Sequence, residues 1–480
     1  MTATLNNNTI DLVEVSRLNK IFADQTGTFN EHMYPSAEER IYCLKQLRDA
    51  VLDNLDELTQ AVCDDFGNRS VDETKLLEII PFLEAVKYAI KNIRKWMRPS
   101  KRKVPVNLAP GKAWVEYQPL GIIGVISPWN YPLALALVPT VNAIAAGNRV
   151  MIKMSEFTPN AADVLQRVVK QAFAENLVAI ISGGVEVAQE FSKQPFNHLI
   201  FTGSTNVGRH VMHAAADNLT PVTLELGGKS PAILHKSYPI QHAVDRMAWG
   251  KCINVGQTCV SPDYLFCPTP KVGAFISLFK KKISEVYPTM LTNKDYTSVI
   301  NERQKRRLTD YLVDAKEKGA DIIEINPANE DFSNTNKMPL HIVTKVTDEM
   351  DIMNNEIFGP ILIVKAYDDI KEAISYINNK PRPLALYYFD YDQTRCDRIS
   401  RSTHSGGVCF NETMNHVGID DMPFGGVGDS GMGHYHGAEG FQTFSKAKGI
   451  FKRGKINPTV KILPPFGGWF HEFIYKQNIR

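Results

Sequence analysis

The 480-residue chain has no excess of charge of either sign: 54 lysines and arginines against 52 aspartates and glutamates leave a formal net charge of +2. A field that weak does not select nucleic acid or an acidic partner over the whole molecule. The local exception, Arg94, Lys95, Arg98, Lys101, Arg102 and Lys103 around Trp96 and Pro99, reads as a phosphate-binding patch or, as such runs more often prove, as a solvated helix end. Cysteine is scarce. Its seven copies, at 43, 63, 252, 259, 267, 396 and 409, are odd in number and follow no regular framework, which argues for reduced thiols in a cytoplasmic setting. Cys252, Cys259 and Cys267 lack the paired spacing of a zinc site, so no metal is expected. Long apolar runs are also missing: Tyr131 to Gly147 is broken by Pro139 and Asn142 and reads as a buried helix rather than a membrane span. The first eight residues show no basic region followed by an apolar one, so no secretory signal is expected. With 44% hydrophobic and 22% charged residues, the composition is that of a globular protein of two or three domains, at about 150 residues each.

What is present is a long alternation. After a polar start, Leu44, Leu47, Val51, Leu55, Leu58 and Val62 recur at helical steps, and a second helical stretch runs from Lys75 to Met97; neither shows chemistry. Pro105 to Gln118 reads as an extended arm, either joining another subunit or forming an edge hairpin. From Leu120, apolar strands (121–126, 149–153, 177–181 and 198–202) alternate with helices (138–147, 160–176, 185–194 and 207–218). Strands buried on both faces and separated by helices predict an α/β fold with a doubly wound parallel sheet, whose ligands bind at the carboxyl ends of the strands. The alternation resumes between Ser230 and Phe424, without an internal repeat.

Several strand ends carry polar groups. Lys153-Met154-Ser155-Glu156 places an ammonium and a carboxylate where a ribose or phosphate would lie. Phe201-Thr202-Gly203-Ser204-Thr205-Asn206-Val207-Gly208 lets a helix N-terminus approach a pyrophosphate, although it is not G-x-G-x-x-G, and taken alone it is an ordinary strand-turn-helix. Glu225 sits inside the apolar strand Val222 to Leu226, just before Gly227-Gly228; it is either a base tuned by burial or a structural carboxylate bonded to backbone amides. In Asn254-Val255-Gly256-Gln257-Thr258-Cys259, one thiol lies among small and polar neighbours, so Cys259 is a candidate nucleophile whose bland alternative is a small buried residue. Glu356 and Phe358 lie in the turn Asn354 to Pro360, and Pro423 to Gly433 is too glycine-rich for a helix.

These motifs, together with Pro128-Trp129-Asn130-Tyr131-Pro132, run in register from about residue 40 to about 450 and resemble the NAD(P)-dependent aldehyde dehydrogenase superfamily. Gly433-His434-Tyr435-His436-Gly437 and Pro262-Asp263-Tyr264 are similar to its class 3 branch of fatty and aromatic aldehyde dehydrogenases, above all to bacterial enzymes for coniferyl aldehyde. The resemblance implies that Cys259 attacks the aldehyde, that Asn130 and the Cys259 N–H hold the oxyanion, and that Glu225 activates the hydrolytic water. It also implies NAD, with NADP tolerated. Lys153 and Glu156 would then lie on the adenosine ribose, Ser204 with Gly203 and Gly208 at the pyrophosphate, and Glu356 on the nicotinamide ribose, with Trp129 and Phe358 completing the site. Residues 1–103 and 119–227 would form the NAD-binding domain, 228–424 the catalytic domain, and 104–118 with 443–480 an oligomerisation arm and tail of a homodimer. Two departures stand out. Met154 replaces the family's usual proline, and the tail from Lys461 to Lys476 is too short and polar to span a bilayer, which leaves surface contact through its aromatics or packing on a partner subunit. A coenzyme A-acylating dehydrogenase would not need Glu225, and a non-enzymatic structural relative would not need both Cys259 and Glu225.

Overall fold

The computed structural model describes residues 2–105 and 108–479, so residues 106 and 107 of the expected arm, and the two terminal residues, lie outside the described part. Six strands form one sheet in the order Gly431–Met432, Val222–Leu226, His198–Gly203, Ile122–Ile126, Arg149–Lys153, Val178–Ile181, parallel except for the first pair. The strands are apolar throughout because helices cover both faces; Ile123, Val150, Ile152 and Leu199 are fully buried. Chain order reverses beside Ile122–Ile126, whose neighbours are Arg149–Lys153 on one side and His198–Gly203 on the other. That reversal opens a crevice at the strand ends, where a doubly wound sheet receives its ligand.

A second sheet has seven strands in the order Asp321–Ile325, Leu340–Thr344, Ile361–Tyr367, Tyr264–Pro268, Pro231–Leu234, Ala385–Phe389, Gly407–Phe410, and only its first pair is antiparallel. The third sheet is antiparallel: Lys112–Pro119 lies between Ser100–Arg102 and Ser445–Lys452, so the expected arm and the start of the tail are paired with each other within one chain.

Two stretches depart from the sequence reading. The polar start is largely a helix, Thr2–Glu31, docked through Leu18 and Ile21 and through Gln25, whose side-chain amide donates to the Val150 and Glu175 carbonyls. A glutamine at the third inward position hides the apolar stripe that would have announced it. The expected helix from Lys75 to Met97 is interrupted: Lys75–Ile79 is a π turn, and the regular helix is Ile80–Trp96. Pro81 has no N–H for the ladder, and the wider turn absorbs the fault. It also turns Glu78 inward, where its carboxylate accepts from the N–H groups of Leu133 (2.7 Å) and Ala134 (3.1 Å) at the start of the buried helix Ala134–Ala146. No helix among the described residues is long and apolar enough to cross a membrane.

Candidate active site

The thiol of Cys259 follows a loop held in an unfavourable conformation. After the helix Ile240–Cys252, Asn254 (φ 48°), Val255 (φ 44°) and Gly256 (φ 76°) are successive left-handed residues, a costly choice for a β-branched valine. Local contacts over-determine it. The Asn254 N–H donates to Glu73 at 2.9 Å, and its side-chain amide donates to the Asn130 and Gln257 carbonyls at 3.0 and 3.1 Å. The Gln257 side chain donates to the Asn254 and Ser298 carbonyls and accepts from the Ile300 N–H at 2.9 Å. Only glycine fits at 256, because a Cβ there would lie 2.5 Å from the Gly359 carbonyl oxygen.

Beneath the loop lies a buried charge cluster that sequence reasoning missed. Arg69 sits 3.5 Å from Glu73 and 3.1 Å from Glu78, and it donates to the Asn130 carbonyl at 2.9 Å. Its guanidinium also lies over the rings of Phe66 and Tyr131. Burial raises the pKa of both glutamates, and the Arg69 charge opposes that rise. The available signal was the four-residue step from Arg69 to Glu73, one helical turn, but such pairs are usually solvated.

Asn130, from the turn after Ile122–Ile126, gives one amide hydrogen to the Gln257 carbonyl at 3.2 Å, which ties it to the thiol loop. Glu225 is 3% exposed, and neither carboxylate oxygen has a hydrogen-bond partner. It is therefore not a structural carboxylate bonded to backbone amides, and burial holds its pKa well above the usual range. Glu356 packs against Gly227, leaving no room for a side chain there, and accepts from the Gly228 N–H at 3.1 Å. Burial, with the Asp263 charge beside it, pushes its pKa up to about 8. Burial and then the charges of Glu356 and Glu225 raise the Cys259 thiol to about 12, so these three groups share one site and its field disfavours the free thiolate. The turn carrying Glu356 is anchored by Lys229, which donates to the Ile352 and Asn355 carbonyls and pairs with Asp263 at 3.2 Å, and by Arg307, which donates to the Glu356 and Ile357 carbonyls. Neither cation stood out in sequence.

Of the remaining candidates, Lys153 and Gly203 end strands of the six-stranded sheet. The buried Lys153 ammonium donates to the Met154 and Gly183 carbonyls, each at 2.7 Å, and burial lowers its pKa. Met154 is buried, and its N–H donates to the Ile181 carbonyl, a bond that a proline could not make. Glu156 is exposed, with its charge within reach of Lys153. Gly203 ends its strand, and the Ser204 hydroxyl caps the helix Thr205–Ala216 by accepting from the Val207 N–H. Gly208 allows close packing, since a Cβ there would lie 2.7 Å from Leu226. Phe358, at φ 50°, meets Trp129 edge to face at 5.3 Å.

A cavity of about 370 Å³ leads to Cys259, walled by Tyr131, Leu135, Val138, Trp249, Met414 and Phe424. Cys259 lies on its wall, and the charge of the unpartnered Glu225 carboxylate reaches that thiol. This arrangement suits covalent capture of a small apolar molecule followed by attack of water.

A probable coniferyl aldehyde dehydrogenase of Pseudomonas aeruginosa is 49% identical over 97% of this chain and 97% of its own. A coniferyl aldehyde dehydrogenase of a Pseudomonas species is 43% identical over 90% of each chain. The substrate-bound AldH structure of Staphylococcus aureus superposes with a TM-score of 0.90 at 35% identity, covering 96% of this chain and 99% of that one. The profile of the aldehyde dehydrogenase family matches residues 9–450, and the chain belongs to that family.

Proposed function

We propose that this enzyme oxidises aromatic, cinnamyl-type aldehydes such as coniferyl aldehyde to carboxylic acids, with Cys259 as nucleophile and Glu225 as general base. The observation that carries the reading is Glu225: a buried carboxylate without a partner, whose charge acts on the Cys259 thiol, supports the role of a base that takes a proton from water. Support for the substrate class comes from the apolar, aromatic-walled cavity and from the names of the relatives above.

The Cys259 thiol gives its proton to water, its sulfur bonds to the carbonyl carbon, and the carbonyl oxygen becomes an oxyanion. The Asn130 amide hydrogen not given to Gln257 and the Cys259 backbone N–H are its donors. Hydride leaves that carbon as the carbonyl re-forms, which gives a thioester on Cys259. Glu225 then takes a proton from water as the water oxygen bonds to the thioester carbon. The carbon–sulfur bond breaks, the acid leaves and the thiolate returns.

NAD, when bound, supplies the hydride acceptor. The chain fits it: Lys153 has a third N–H beyond its two carbonyl contacts, and the helix Thr205–Ala216 begins at the carboxyl end of a neighbouring strand. Lys153 and Glu156 would hold the adenosine ribose, Ser204 the pyrophosphate beside Gly203 and Gly208, and Glu356 the nicotinamide ribose, with Trp129 and Phe358 nearby. Glu156 accepts from a ribose 2′-hydroxyl and repels a 2′-phosphate, a repulsion softened by Lys153, so NAD is preferred and NADP tolerated. The seven free thiols fit a cytoplasmic setting. The test is kcat/KM for cinnamyl, benzyl, long alkyl and acetaldehyde substrates, each with NAD and NADP. Cinnamyl aldehydes with NAD should rank first; acetaldehyde equal to them would overturn the substrate class, and NADP ranking above NAD would overturn the placement of Glu156.

A further inference from the structure

His436 lines the same cavity as Cys259. It is 7% exposed, and its Nδ1 is buried without a hydrogen-bond partner. Of the other buried histidines, His198 meets the Thr223 hydroxyl at 2.9 Å, whereas His341 and His471 each also carry an unpartnered Nδ1; what sets His436 apart from these three is that it lines the cavity reaching Cys259. Although His436 precedes the helix Gly437–Thr443, its side chain makes no capping bond. The ring is held by apolar contacts instead, stacked on Phe424 at 5.6 Å and 21° and meeting Tyr435 edge-on at 4.7 Å.

The backbone of His436 is strained, with φ 109° and ψ 144°, in a region that side chains other than glycine rarely enter. An unmet polar atom and a strained backbone both cost stability, and packing alone would be served as well by phenylalanine. Burial pushes the imidazole down to about 4, so it is neutral at physiological pH and carries one N–H and one lone pair. A hydroxyl can be met in either sense without introducing charge into the cavity. The other polar groups of the lining are differently placed: the Tyr131 hydroxyl is bonded to Thr258 at 2.6 Å, Glu84 and Asn415 are exposed to water, and Asp420 is half-buried.

We propose that His436 is a specificity-determining residue that hydrogen-bonds a hydroxyl group on the aromatic ring of the substrate, so that hydroxylated cinnamyl aldehydes are taken in preference to unhydroxylated ones. This rests on the aromatic-aldehyde reading of the site and names the feature of the substrate that the cavity recognises.

The experiment measures kcat/KM for para-hydroxycinnamaldehyde and cinnamaldehyde in the wild type, His436→Phe and His436→Asn. The ratio within each protein is compared between proteins, which cancels the electronic effect of the hydroxyl on the carbonyl. The ratio should fall about tenfold in His436→Phe, the worth of one hydrogen bond, and be partly kept in His436→Asn. An equal ratio in wild type and His436→Phe overturns the assignment. A second measurement needs no variant: para-hydroxycinnamyl alcohol should inhibit the wild type at a concentration about tenfold lower than cinnamyl alcohol, and equal inhibition also overturns it. Turnover of both cinnamaldehydes with an unchanged ratio sinks the role of His436 alone, whereas turnover of alkyl aldehydes with neither cinnamaldehyde sinks the substrate class itself.

Discussion

Cys259 and Glu225 act in separate steps, so one substitution at each should stop the reaction at a different point. Cys259→Ala removes the sulfur from which the thiohemiacetal forms, and NADH formation should be abolished. Glu225→Gln keeps the shape and removes the base. One equivalent of NADH per site should appear as a burst, while steady turnover falls by ~10²–10⁴-fold. Stopped-flow absorbance checks both; absence of the burst would move the role of Glu225 ahead of hydride transfer. The pH dependence follows from burial. A carboxyl whose pKa is raised stays protonated below that value and cannot accept a proton from water, and the raised thiol likewise yields little thiolate. Turnover should therefore still be climbing with pH above the ordinary carboxylate range instead of levelling off within it, and the part due to Glu225 should vanish in Glu225→Gln. In sequence, Glu225 stood out as the lone charge in an apolar strand, and Cys259 as a thiol beside a glycine; the state of either depended on neighbours from distant parts of the chain.

Among the elements, the edge of the six-stranded sheet bears most directly on Glu225. Gly431 pairs with Glu225 and Met432 with Leu224, so the glycine-rich segment closes the sheet beside the base. Gly431 has φ 148°, and a Cβ there would strike the Leu224 carbonyl oxygen. Gly431→Ala should lower stability by about 2 kcal/mol or more and reduce kcat more than it changes KM, because the strand holding Glu225 must shift. Gly449, in the edge strand Ser445–Lys452, has open space where a Cβ would go, and Gly449→Ala should stay within ~0.5 kcal/mol. Thermal unfolding with steady-state kinetics separates the two. Glycine richness was visible in sequence and suggested a loop near a ligand or another domain. That two of its residues form a strand was not, since a pairing between segments so far apart leaves no local periodicity.

For the whole molecule, the sheet of Ser100–Arg102, Lys112–Pro119 and Ser445–Lys452 stands apart from the two larger sheets and has Ser445–Lys452 at its edge. Beyond it the tail exposes Val460, Leu463, Phe466 and Trp469, each more than 60% accessible. An open strand edge beside exposed apolar side chains is a surface suited to association. We expect a homodimer through this region, seen as twice the chain mass in sedimentation at micromolar concentration; truncation after Phe444 should release monomer, and a full-length monomer would count against the expectation.

The sequence by itself determined the class of fold, because strands covered on both faces must be apolar throughout and the helices between them keep their own period. It also pointed to the nucleophile loop and to the lone carboxylate, since each is written within a few neighbouring residues. The tertiary structure alone decided that Cys259, Glu225 and Glu356 share one site, that Arg69 with Glu73 and Glu78 supports the thiol loop, and that an N-terminal helix closes over the sheet. These depend on which segments meet. Such meetings are set by the summed packing of the core, and no short stretch of sequence records them.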